Sequence, residues 1–313
     1  MNKVSLQNIF FYPLYVLLWL FTILPSGVQY FIADIIFVIL YYVIGYRKRV
    51  VYKNLNNAFP EKQSAGIKRI AKKFYHHLAD YFIESIMLLN ISKEEINKRF
   101  QHSNPELLEK YYKKGKSILL ISGHYGNWEW TANLPFFTSH HVMAIYKPLR
   151  NEFFDKLFIR LRSRFGLEPV PINSLPRKLA LYKRDNIPTC TYFLGDQRPM
   201  GRHSRYWTPF LNQEAPVFQG IEKIGRKTNQ PIIFYEARKI KRGYYITKFT
   251  ELVDEPAKTI PNEITEKHLR ALEKLIREEP AYWLWSHDRW KWKRRLIEAW
   301  QESVRNFNTE ITN

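Results

Sequence analysis

The segment Ser117–Ser122 sets four large aliphatic residues in a row between two serines. A run this short with no polar alternation reads as a strand buried on both faces, which requires helices on both sides of its sheet. The rest of the chain supplies them. Helical spacing is expected over Asn127–Phe137, Asn151–Arg164, Leu175–Lys183, Pro216–Lys227 and Glu263–Glu278. Strands are expected at His141–Tyr146, Glu168–Pro171, Ile187–Leu194, Pro231–Ala237 and Tyr244–Val253, the last antiparallel because Gly243 sits in a tight polar turn. Strands alternating with helices predict an α/β domain over 116–295, a mostly parallel central sheet flanked by helices, with its site at the carboxyl ends of strands. Upstream, Ile67, Ile70, Ala71, Phe74, Tyr75 and Leu78 fall on one face of a helix running from Glu61 to about Leu89, and a shorter helical stretch continues to Tyr112. The segment 47–115 is therefore expected to pack as helices on the catalytic domain, and 296–313 to form a C-terminal tail.

The N-terminus has a different character. Residues 1–46 carry only Lys3 and Asp34 as charges, and two apolar stretches, Ile9–Leu24 and Val28–Tyr46, flank Pro25-Ser26-Gly27. Each falls short of the roughly 20 residues of a clean bilayer span. They read as anchor helices that span or dip into a membrane, with Arg47-Lys48-Arg49 at a cytoplasmic surface; the competing reading is a pair of helices buried in a soluble core. No small-residue cleavage site marks a removed signal peptide.

Charge narrows the partners. Lys and Arg number 49 against 29 Asp and Glu, a formal net charge of +20, and aromatic residues make up 16% of the chain. Such a field draws anionic partners, and cations beside Trp and Tyr suit a lipid–water interface or single-stranded nucleic acid. No nucleic-acid motif is present, and the apolar N-terminus favours the lipid surface. A single cysteine, Cys190, excludes an internal disulfide and reads as a small buried apolar residue in a strand.

The chemistry concentrates after the first strand, in Gly-His-Tyr-Gly-Asn-Trp-Glu-Trp (123–130). Gly123 permits a sharp turn, His124 sits at the sheet's carboxyl edge, and Glu129 falls in the first turn of the following helix. Imidazole titrates near neutrality and can take a proton from an attacking alcohol, while a carboxylate on its other nitrogen fixes the tautomer. His124 and Glu129 are thus the candidate catalytic pair. A zinc hydrolase would need further ligands such as H-E-x-x-H, which is absent. Asp196 and Gln197 follow another apolar run and are placed to line the same cleft, the alternative being a turn-initiating Asp.

The spacing His124-x-x-x-x-Glu129 resembles the H-x4-D/E signature of the glycerolipid acyltransferase superfamily, and within it the lipid A biosynthesis late acyltransferases. The resemblance runs from Arg47 to about Lys291: RKRVVYKNLNNAFP after the anchor, Tyr146-Lys147-Pro148 with Asn151 and Asp155, Arg160-Leu161-Arg162, Gly195-Asp196-Gln197, and PAYWLWSHDRWK with Pro280, Trp285, His287 and Arg289. Lys147 stands where the family often has Arg, and FLNQEAPVFQG replaces a Gly- and Thr-rich stretch. The resemblance implies an O-acyltransferase at the cytoplasmic face of the inner membrane. It would transfer an acyl chain from acyl carrier protein to a hydroxyl of a lipid A precursor, with no metal or other cofactor. Arg160 and Arg162, with Asn127, Asp196 and Gln197, are the expected substrate-binding residues. The same His–Glu pair would also serve a lysophospholipid, glycolipid or aminolipid acceptor. Trp283, Trp285, Trp290 and Trp292 line an acyl channel, face the membrane or pack in the core, three readings that the residues leave open.

Overall fold

The computed structural model describes residues 6–199 and 206–292, with side chains from Tyr12 onward; the tail expected at 296–313 lies outside the described residues. Chain order begins with α1 (Leu6–Ile23), α2 (Ser26–Val38, prolonged by a π-helical turn at Ile39–Val43), α3 (Lys48–Ala58), α4 (Ser64–Met87), α5 (Lys93–Arg99), β1 (Phe100–His102) and α6 (Glu106–Tyr112). It continues with β2 (Ile118–Ser122), a 3-10 helix at Trp128–Phe136, β3 (His141–Tyr146), α7 (Glu152–Ser163), β4 (Glu168–Pro171), α8 (Leu175–Arg184) and β5 (Thr189–Leu194). A hairpin of β6 (Trp207–Phe210) and β7 (Gln213–Pro216) precedes α9 (Gly220–Thr228), β8 (Ile232–Lys241), β9 (Tyr244–Val253) and α10 (Glu263–Glu278).

The main sheet has the order β1-β9-β8-β2-β5-β3-β4. Every neighbouring pair in it is parallel except β8 and β9. The mostly parallel sheet and its single antiparallel hairpin are as the sequence predicts. β2, at the centre, is buried at all five of its residues, which is why its sequence carries no polar alternation.

Three local expectations differ. The stretch leading to Tyr112 is two short helices separated by β1, which joins the sheet beside β9. Residues 128–136 wind as a 3-10 helix with Pro135 inside it, where an α-helix was expected; a missing N–H and a ring against the preceding turn disfavour the wider coil. Pro216 closes β7, so the helix expected from Pro216 begins only at Gly220. The hairpin turn has Leu211 and Asn212 both at positive φ, 50° and 59°. A leucine there gives no sequence signal for such a turn.

The N-terminal helices are surface elements. Among the described residues, Ser26–Val43 is the one stretch long and apolar enough to cross a membrane, and Tyr12–Ile23 is apolar but shorter. Leu17 and Phe31 are each 63% exposed and Val43 is 74% exposed. Gln29, in the first turn of α2, is buried, its Nε2 donating to Phe21 O and Thr22 O at the end of α1. The inner face of α2 packs on α4, and α3 grips the end of the described chain: Arg47 Nη1 donates to Ser286 O at 2.8 Å, and Asn54 Nδ2 to Trp285 O and His287 O at 3.0 Å each. Trp283, Trp285 and Trp290 are buried, and the first two meet edge-on at 4.7 Å. These three rings pack in the core.

Candidate active site

The register of two strands assembles the site. β2 and β5 are parallel neighbours with Ser122 opposite Leu194. The ladder continues one step past the strand ends, where Gly195 N donates to Ser122 O at 2.9 Å. His124 and Asp196 each stand two residues beyond these partners and so emerge side by side. His124 Nδ1 lies 2.7 Å from Asp196 Oδ1, and the His124 backbone N–H donates to Asp196 Oδ2 at 2.9 Å. The indole of Trp283 donates to the same Oδ2 at 2.7 Å. Gly123 leaves room for this approach: a Cβ there would stand 3.2 Å from Asp196 Cγ and 2.8 Å from the Leu272 methyls.

Asp196 is 1% exposed. Burial alone would raise its pKa, but the charge and hydrogen bonds of His124, with the Trp283 indole, outweigh it and hold the carboxyl below the usual carboxylate range. An ionised Asp196 accepts from Nδ1–H, which leaves the lone pair of His124 on Nε2. Nε2 lies 3.2 Å from Gln197 Nε2. Both side chains line a cavity of about 640 Å³ that runs between the 3-10 helix, β3 and α7, with Thr131, Ala132, Leu167 and Tyr192 in its wall. Lys147 and Arg150 also line it and are exposed.

Glu129 borders the same cavity, but its hydrogen bonds go elsewhere. Arg162 Nε and Nη2 donate to Glu129 Oε2 and Oε1 at 2.8 and 2.7 Å, a bidentate pair, and Tyr81 OH donates to Oε1 at 3.3 Å. The expectation that His124 and Glu129 pair through a hydrogen bond is therefore corrected: the carboxylate on the imidazole is Asp196. The physical reason is the helix. Glu129 enters the 3-10 coil facing α7, and the planar fork of Arg162 takes both of its oxygens.

The other expected substrate-binding residues divide. Arg162 and Gln197 line the cavity with His124. Arg160 does not: it stacks over Tyr15 of α1, 4.6 Å from the ring centroid, and lines a separate shallow cleft with Leu88 and Arg164. Asn127 is wholly buried and does not line the cavity; its Oδ1 accepts from Trp130 N at 3.2 Å, and its Nδ2 donates to Glu84 Oε2 at 2.7 Å. It is a structural cap. Asn151 caps α7 through Phe153 N and Phe154 N, and Asp155 Oδ1 holds Leu149 N at 2.7 Å, so both shape the loop at the cavity mouth. His287 Nε2 accepts from the Arg198 backbone N–H at 3.3 Å, an orienting contact.

Sequence reasoning missed several members. Trp128 packs edge-on to the His124 ring at 5.1 Å and against Tyr81 at 4.1 Å. The closing block pairs with the His124 turn through backbone bonds, Gly126 N to Tyr282 O at 3.0 Å and Leu284 N to His124 O at 3.1 Å, which delivers Trp283 to Asp196. Gly126 is required where it stands, at φ +63°, because a Cβ would fall 2.6 Å from Ala237 O. A signal for the His124–Asp196 pair was present: Ile-Ser-Gly-His and Phe-Leu-Gly-Asp both read as apolar strand, glycine, polar residue.

Comparison with known proteins gives three findings. The family model described as bacterial lipid A biosynthesis acyltransferase matches residues 3–292. No curated protein matches the chain. Among solved structures, the 1-acyl-sn-glycerophosphate (LPA) acyltransferase PlsC from Thermotoga maritima aligns with 83% of this chain and 100% of its own, at 11% identity and a TM-score of 0.38.

Proposed function

The chain belongs to the bacterial lipid A biosynthesis acyltransferase family, and on that premise we propose that it moves a fatty acyl group from the thioester of acyl carrier protein to a hydroxyl of a lipid A precursor, with His124 as general base. One observation carries this reading. The imidazole is held by a buried, ionised Asp196 on Nδ1, while its Nε2 borders a cavity of about 640 Å³ large enough to take lipid groups.

The acceptor hydroxyl replaces Gln197 at Nε2 and gives up its proton there as its oxygen attacks the thioester carbonyl. Asp196 stabilises the imidazolium that forms. The tetrahedral oxyanion collapses, the C–S bond breaks, and the departing thiolate takes the proton back from Nε2. Arg162 spends Nε and Nη2 on Glu129 and keeps Nη1 for the developing oxyanion or an acidic group of the acceptor. Glu129 holds that guanidinium in place. Thr131, Ala132, Leu167 and Tyr192 wall the part of the cavity that receives the acyl chain.

Membrane association follows from the family and the exposed apolar helix at Ser26–Val43. The finer reading puts the anchor at residues 1–46, the catalytic domain at the cytoplasmic face of the inner membrane, and Arg47-Lys48-Arg49 at the headgroups. The deciding experiment incubates the full-length protein in detergent with several acyl carrier protein thioesters and a tetra-acylated lipid A precursor, and follows products by mass spectrometry. A penta-acylated product, lost in His124→Ala, is expected. Transfer that persists in His124→Ala sinks the base assignment, and transfer only to a lysophospholipid or aminolipid acceptor sinks the lipid A assignment.

A further inference from the structure

One face of α4 grips the turn from His124 to Glu129. His77, Tyr81 and Glu84 succeed one another at spacings of four and three, a single helical stripe. His77 Nε2 meets Gly126 O at 3.2 Å, Tyr81 OH donates to Glu129 Oε1 at 3.3 Å, and Glu84 Oε2 accepts from Asn127 Nδ2 at 2.7 Å. The Glu84 backbone O also accepts the Trp130 indole N–H at 2.8 Å. Asn127 in turn caps the 3-10 helix that carries Trp128 and Glu129. Glu84 is 0% exposed and lines no cavity with His124, so it touches the turn without touching substrate.

The same carboxyl takes two further donors. Tyr245 OH of β9 reaches Oε2 at 2.8 Å, and Tyr30 OH of α2 reaches Oε1 at 3.1 Å. One helical turn along α2, Asp34 pairs with Arg242 at 2.6 Å and with His76 of α4 at 2.9 Å. Arg242 also reaches the fully buried Asp80 at 2.7 Å, one turn before Glu84 on α4. The apolar helix is therefore polar on its inner face at two successive turns, and both contacts run onto α4. Its outer face carries Phe31, Ile35 and Val38, all exposed.

We propose that Glu84 is a positioning residue that couples the seating of α2 against α4 to the geometry of the His124–Glu129 turn, so that the base is correctly set when the apolar helix is docked. Small displacements at reacting groups cost large factors in rate, and groups that hold them are felt in turnover more than in binding. The proposal rests on reading His124 as the base.

The test uses the full-length protein in detergent micelles with two variants. Tyr30→Phe removes one hydroxyl and keeps the ring; Glu84→Gln keeps the shape and changes the acceptor. For Tyr30→Phe, kcat falls about tenfold, the effect of losing one buried hydrogen bond on the geometry. KM for the acyl thioester stays at the wild-type value. Amide hydrogen exchange speeds up in peptides covering 123–132 and not in β3 or β5. Glu84→Gln moves both readouts further in the same direction. Wild-type exchange across 123–132 in Tyr30→Phe, or a rise spread evenly over the sheet, overturns the coupling. Where Glu84→Gln fails to fold, Tyr30→Phe alone decides. The exchange measurement needs no lipid substrate, so a protein without acyl transfer would sink the His124 reading while the coupling is still decided on the exchange data.

Discussion

Asp196 and Glu129 flank the same turn at His124, and the protein treats the two carboxylates in opposite ways. Asp196 is sealed behind the imidazole, with one oxygen on His124 Nδ1 and the other shared by a backbone N–H and the Trp283 indole. Glu129 faces the cavity, and its two oxygens are occupied by a guanidinium. The first arrangement fixes an imidazole; the second builds a charged wall. Nearness in sequence decided neither. Strand register delivered Asp196 from 72 residues away, whereas Glu129, five positions from His124, turned toward α7.

The contrast is most exposed to His124→Ala and Asp196→Asn. Each should lower kcat by about 10³- to 10⁴-fold, the first by removing the base and the second by unsettling its tautomer. Glu129→Gln should cost less, about 10- to 100-fold, because one charge-assisted contact to Arg162 weakens while His124 keeps its partner. Steady-state kinetics on the three purified variants decides the matter. Equal losses in Asp196→Asn and Glu129→Gln, with KM unchanged in both, would erase the distinction and return Glu129 to the chemistry. On the wall itself, Ala132→Leu should shift product chains toward shorter acyl groups, since added methylenes in a packed space cost about 1–3 kcal/mol. Unchanged selectivity over a series of acyl thioesters would remove the 3-10 helix from the acyl-binding wall.

Much of this was legible in the residues. The apolar β2 run demanded a doubly covered sheet, and Gly123-His124 after it marked the sheet's rim. The pairing at that rim was only half legible: the two strands end alike, in Gly123-His124 and Gly195-Asp196, but that β5 lies beside β2 is a tertiary fact. Arg160 and Arg162 show a different failure. Residues two apart on a helix point about 200° apart, so a single site could never have held both, and only Arg162 faces the cavity. Asn127 was misread because a short polar side chain before a helix caps it as readily as it binds a ligand. The β6–β7 hairpin stayed hidden because its turn uses a leucine at positive φ.

A third carboxylate, Glu84, sharpens the comparison with a smaller effect, because it holds the turn without forming an ion pair. Burial pushes its pKa up to about 7 from the ordinary glutamate value of 4.5; the charge of Asp80 adds to this, and Lys239, Tyr245 and Asn127 oppose it. A carboxyl whose folded pKa exceeds its unfolded one binds its proton more tightly in the native state. Its stability contribution is therefore fully present below pH 4.5 and lost as pH rises through about 7. The gap between those values bounds the effect at about 3 kcal/mol, with the opposing donors already counted in the folded value. Glu84→Gln carries no such proton. Denaturant melts of the full-length wild type and variant between pH 4.5 and 7.5 should show the wild type losing ground to the variant as pH rises. A difference that grows in favour of the wild type over that window would mean that Glu84 is ionised throughout, with its donors stronger than its burial. Glu84 would then stand with Asp196 as an ionised carboxylate, and not as the protonated clamp that its burial implies.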